Sequence, residues 1–162
     1  MKKIKISTLT ATIVGVLVGC SSFTPTVSSI DSLSDSVFRS DFQRVEKNLK
    51  DGIDINARNA DGLCPLETAI SARDSKMVKY LISQGADVNL ESEGSYPPLL
   101  YLCYIYDGTF EYDSRHMKVV EHLVRAGVNL KYKTGTQSLI EYCNGKNAHP
   151  KLIRYLKSKG AR

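Results

Sequence analysis

The chain has 162 residues, 42% of them hydrophobic and 24% charged, with 22 Lys+Arg against 17 Asp+Glu. That length supports one domain with a real core. The formal net charge of +5 does not mark a nucleic-acid binder, which needs a concentrated basic patch, because three of the lysines lie within the first five residues.

Lys2, Lys3 and Lys5 precede an apolar run from Ile6 to Gly19. Those 14 residues are too few to cross a bilayer, which takes about 20. A basic start, a short apolar middle and small residues at its end make a secretory signal. Leu17-Val18-Gly19-Cys20 resembles the bacterial lipobox. That resemblance implies cleavage before Cys20, a diacylglyceryl group on its thiol and an acyl chain on the new amino terminus, giving the several chains that hold a protein to a bilayer. Ser21 follows the cysteine, and by analogy with enterobacterial lipoproteins this points to the outer membrane. The expected boundaries are a signal at 1–19, a lipidated Cys20 with a flexible Ser/Thr-rich tether at 20–33, and a folded domain at 34–162.

Without its leader the chain carries 19 basic and 17 acidic residues, unevenly spread. Asp31 to Asp113 holds 8 basic and 15 acidic residues, whereas Ser114 to Arg162 holds 11 basic and 2 acidic. Either these are ordinary solvated helix faces, or an acidic half faces a partner and a basic end faces another surface.

Within the domain the sequence repeats. "KDGIDIN", "SQGADVN", "RAGVNLK" and "SKGAR" place glycines at 52, 85, 127 and 160, with intervals of 33, 42 and 33. Ahead of each glycine lies an amphipathic stretch, such as "KMVKYLIS" and "KVVEHLVR", with one apolar stripe at helical spacing. The glycine is then a helix stop. Upstream of each lies a second helix: "SDSVFRS", "CPLETAISA", "PPLLYLCYI" and "SLIEYC", with Pro65 and Pro98 in the first turn, where proline is tolerated. The stretch "DGLCPLETAI…MVKYLISQGADVN" resembles the ankyrin repeat, close to its D-G-x-T-P-L-H-x-A and G-A-D-V-N patterns.

This resemblance implies an all-α solenoid of about four helix-turn-helix repeats, near 34–59, 60–91, 92–132 and 133–162. Arg44 and Asn48 replace the apolar Met77 and Leu81 of repeat two, as the polar face of an N-terminal cap would require. Arg154, Lys157 and Lys159 play that part at the other end. Leu99 to Gly127 spans 28 residues against 19 from Leu66 to Gly85, so nine extra residues around "YDGTFEYDSR" extend the helix-helix turn of repeat three.

No catalytic constellation, phosphate loop or metal-ligand spacing emerges. His116, His122 and His149 are isolated, and the chain is expected to be a non-enzyme without cofactor or metal. Cys103 and Cys143 occupy equivalent small, buried sites on neighbouring first helices. One helix diameter, roughly 10 Å, would separate them, beyond the ~7 Å reach of a disulfide, so free thiols are expected. Cys64 replaces the threonine that opens helix one.

The ankyrin resemblance carries the partner-contact sites onto Ala60, Asp61, Leu63, Ser71 and Ala72 in repeat two. In repeat three they fall on Glu93, Tyr96, Tyr104 and Ile105, and in repeat four on Thr136, Asn144 and Gly145. Tyr96 to Tyr112 holds five tyrosines and Phe110, and tyrosine is enriched at binding hot spots. Tyr101 matches a packing position. Tyr104, Tyr106, Phe110 and Tyr112 have no core to fill, and Asp107, Glu111 and Asp113 would make their rim acidic, suiting a basic partner. Bacterial ankyrin-repeat lipoproteins of this size resemble immunity proteins for type VI secreted phospholipase toxins, which implies a periplasmic binder, monomeric alone, that occludes a toxin. The alternative is an envelope scaffold, like the periplasmic ankyrin proteins associated with catalase.

Overall fold

A computed structural model describes residues 27–91, 96–105 and 114–162. Among them eight helices fall into four successive pairs: α1 (Val27–Phe38) with α2 (Phe42–Lys50), α3 (Pro65–Ser71) with α4 (Ser75–Ser83), α5 (Pro98–Ile105) with α6 (Ser114–Arg125), and α7 (Leu139–Gly145) with α8 (Pro150–Ser158). The first helices pack in series, α1 on α3, α3 on α5 and α5 on α7, while α4 packs on α6 behind them. Each pair therefore buries its stripe against its neighbours, as a solenoid does.

The same local chemistry recurs in every pair. Gly52, Gly85, Gly127 and Gly160 follow the second helices with φ between +86° and +100°, where a side chain would be strained. One residue on, the amides of Ile53, Ala86, Val128 and Ala161 bond back to Asn48, Leu81, Leu123 and Leu156 carbonyls at 3.0–3.2 Å, and those four side chains are buried. This is the Schellman closure with its apolar contact. Between paired helices the left-handed residue is Ser40, Arg73 or Asn147, with φ of 55–58°. Asp41 and Asp74 then cap α2 and α4 by accepting the Arg44 amide and the Lys76 and Met77 amides, each at 3.0 Å.

The turns are laced to one another. Asn56 Oδ1 accepts the Asp87 amide at 2.9 Å, and Asn89 Oδ1 accepts the Asn129 amide at 2.6 Å. Lys131 stands where Asn56 and Asn89 stand in their turns, and it has no side-chain oxygen to accept the next amide.

Four details depart from the sequence reading. Helix α1 opens at Val27, inside the stretch read as tether, because Ile30, Leu33 and Val37 form a stripe that packs on the core. Arg44 is exposed as a cap residue should be, but Asn48 is buried under α1 and donates from Nδ2 to Ser36 Oγ at 3.4 Å. A two-residue hairpin, β1 (Lys133–Thr134) with β2 (Gln137–Ser138), precedes α7. Lastly, Cys103 and Cys143 are not free thiols; they form a disulfide with their Cα atoms 5.1 Å apart. The full helix diameter was the wrong ruler. Packed axes stand about 8–10 Å apart and each Cα lies about 2.3 Å off its axis, so two facing residues on α5 and α7 come within bridging range.

Candidate interaction surface

The layer of first helices and the turns that lead into them form one face, and two clusters stand out on it. The first lies between α1, α3 and the turn at 59–63. Its tip is held firmly: Asn59 Oδ1 accepts the Asp61 and Leu63 amides at 3.1 and 2.9 Å, and Gly62 takes φ +76°. Asp31 Oδ1 accepts the Ala60 amide at 3.0 Å, tying the tip to α1. Behind it, the buried Glu67 carboxylate meets Arg58 Nη1 at 2.7 Å and accepts the Cys64 amide at 3.0 Å, which fixes the turn to α3. Ala60, Asp61, Leu63 and Ser71 share a groove of about 510 Å³ with Asp31, Ser34, Asp35 and Phe38. Four expected contact residues are thus brought together. Ala72 ends α3 as its C-cap, half-buried, and does not line the groove.

Phe38, which the sequence reading did not single out, is 63% exposed. A signal for it exists in the sequence. Val37 is the buried partner of Leu33 one turn back, so the next residue is rotated about 100° off the stripe and has no core to enter.

The second cluster lies on α5 and α7 and the residues flanking them, with Tyr96 just before α5 and Lys146 just after α7. Tyr96 and Tyr104 are 45% and 54% exposed. Tyr96 packs against Tyr142 with ring centroids 5.4 Å apart, while Lys146 Nζ lies 5.2 Å from the Tyr104 ring centroid and 5.7 Å from that of Tyr142. These are cation–π distances. Burial pushes the Tyr142 phenol up to about 12, with neighbouring Tyr96 adding to the effect. Tyr142 and Lys146 were missed because repeat four lacks the aromatic run that drew attention to repeat three. The Cys103–Cys143 bond staples the two helices that carry this cluster. Tyr101 is half-buried against the core, as expected of a packing residue.

Other expected sites disperse or lie outside the described residues. Thr136, Asn144 and Gly145 are exposed along repeat four. Ile105 ends α5. Cys20, Glu93, Tyr106, Asp107, Phe110, Glu111 and Tyr112 lie outside the described residues.

The histidines serve different elements. His149 Nδ1 accepts the Lys151 amide at 3.2 Å and caps α8. His116 is buried in α6, and His122, part-buried beside Arg125 and Lys79, is shifted below its ordinary value. No group of three or more His, Cys, Asp and Glu side chains is arranged for a metal among the described residues.

Residues 61–93 match the family model of the ankyrin repeat. The fold is an all-α ankyrin solenoid. The matched segment runs from the tip of the groove turn through α3 and α4 into the following turn, and the other three helix pairs reproduce its glycine closure. Ankyrin repeats are protein–protein interaction modules, and the two clusters lie on the first helices and turns of this one.

Proposed function

We propose that this protein is a lipid-anchored binding module of the bacterial periplasm, held through Cys20 to the outer membrane. In this reading it is an immunity protein, without catalytic activity of its own, that binds and inhibits an antibacterial toxin of the type VI phospholipase class by covering its active-site entrance. One observation carries the binding role: Tyr96 and Tyr104 stand half-exposed on a rigid support of Tyr142, Lys146 and a disulfide, with no core of their own to fill. Rigid aromatic area of this kind binds at low entropic cost. The Cys103–Cys143 bond supports the compartment, because disulfides persist in oxidising surroundings such as the periplasm. The toxin class rests on the resemblance among bacterial ankyrin lipoproteins and on the export signal in the sequence.

The test is survival. Cells lacking the protein are grown against a sibling that delivers its toxins, and against one whose delivery is disabled. Death that requires delivery and is prevented by the wild-type protein, but not by a Tyr96→Ala, Tyr104→Ala variant, supports immunity. Indifference to the attacking sibling moves the reading to an envelope scaffold for a resident protein.

A further inference from the structure

We infer that the groove between α1, α3 and the turn at 59–63 takes an arginine-bearing segment of the partner protein, separately from the tyrosine cluster on α5 and α7. The inference rests on the binding-module reading. Three carboxylates, Asp31, Asp35 and Asp61, line the groove, and among the described residues no Lys, Arg or His does. Two of them have hydrogen-bonding partners already: Asp31 accepts the Ala60 amide, and Asp35 holds Arg39 one helical turn along at 2.8 Å. Each carboxylate retains accepting capacity, since an ionised carboxylate offers about four lone-pair sites. Asp61 has no ion-pair partner among the described residues, and its neighbour Ala60 is exposed.

Two further observations point to an occupant. Ser34 lines the groove and is only 5% exposed, and its buried hydroxyl has no hydrogen-bond partner among the described residues; buried hydroxyls are normally satisfied. Phe38 is exposed on the same wall. A guanidinium suits this combination better than an ammonium does, because it can fork onto carboxylates and lie flat on an aromatic face. The chain's own acidic half, which contains the groove, adds long-range attraction for such a segment.

The probe is the peptide acetyl-Gly-Arg-Leu-Arg-Gly-amide, titrated into the 15N-labelled protein purified from the envelope with its disulfide intact. Saturating shifts at the amides of Asp35, Phe38, Ala60, Asp61 and Leu63 are expected in the low-millimolar range. At least a fivefold loss is expected for Asp35→Asn with Asp61→Asn, and another for Phe38→Ala, while a peptide with Glu in place of Arg should not bind. Both variants alter exposed side chains, so an unchanged far-UV spectrum will separate lost binding from lost fold. Shifts scattered over other acidic sites, equal binding by the Lys peptide, or variants that bind as wild type would overturn the inference. So would self-association of the protein through this groove, seen as a dimer by light scattering that the double Asp→Asn variant abolishes. If a partner depends on Tyr96 and Tyr104 but is indifferent to Asp35 and Asp61, the groove assignment fails while the binding role stands. Absence of any protein partner fails the binding role while leaving the peptide result to be judged alone.

Discussion

Removing the Cys103–Cys143 bond is the perturbation with the largest calculable consequence. The cysteines are 40 residues apart, and in the chain-entropy treatment a loop of that length stabilises the folded state by about 4 kcal/mol. Both side chains are fully buried, so alanine is the better replacement; serine would bury two hydroxyls. The Cys103→Ala, Cys143→Ala variant loses the cross-link and little packing. Against a total stability of about 5–15 kcal/mol for a domain, that loss is severe. With a urea slope of about 1.5 kcal/mol/M, the unfolding midpoint followed by circular dichroism should fall by about 2–3 M. Reductant should lower the wild type similarly and leave the variant unmoved. Peptide mapping of protein purified from its own cells without reductant should recover Cys103 and Cys143 in one linked pair. Recovery of both as free thiols, or a midpoint that reductant does not shift, would refute the reasoning.

Other expectations follow from single residues. Gly85→Ala places a side chain at φ +95° and should cost about 1–2 kcal/mol, although its Cβ would meet nothing within 4 Å. Gly145→Ala, on the exposed end of α7, should instead stabilise by about 0.5–1 kcal/mol; paired urea titrations decide both. Tyr104→Ala should change stability by about 0.5 kcal/mol or less, as exposed substitutions do, whereas Leu102→Ala, fully buried beside it, should cost about 2–5 kcal/mol. The buried Cys64 thiol, pushed up to about 12 by burial, remains protonated through neutral and mildly alkaline pH, so iodoacetamide at pH 8 should label it only after unfolding.

The parts of the fold that repeat were legible because the physics repeats. Four glycines at one register, each after an apolar stripe, dictate four helix stops, and the left-handed closures stand at those glycines. What escaped the sequence depends on one-off geometry. Helix α1 was obscured because serine dominates its composition, although its buried stripe needs only Ile30, Leu33 and Val37. The disulfide was misjudged because its feasibility turns on the separation of two facing Cα atoms, not of whole helices. Within the candidate surface, Ala60, Asp61, Leu63 and Ser71 converge as their repeat positions require. Phe38 and Lys146 were missed because each matters only through a neighbour distant in sequence: Phe38 shares its groove with the turn at 59–63, and Lys146 covers Tyr104 of the preceding repeat.

The central claim is that the first-helix face of this solenoid holds a protein partner. The most direct measurement is affinity capture of the tagged protein from its own cells after exposure to an attacking sibling, with a Tyr96→Ala, Tyr104→Ala variant alongside and bound proteins identified by mass spectrometry. The account predicts one stoichiometric partner, a secreted phospholipase whose activity falls on binding, retained by wild type and lost by the variant. No stoichiometric partner, or one that the variant holds as tightly, would contradict it.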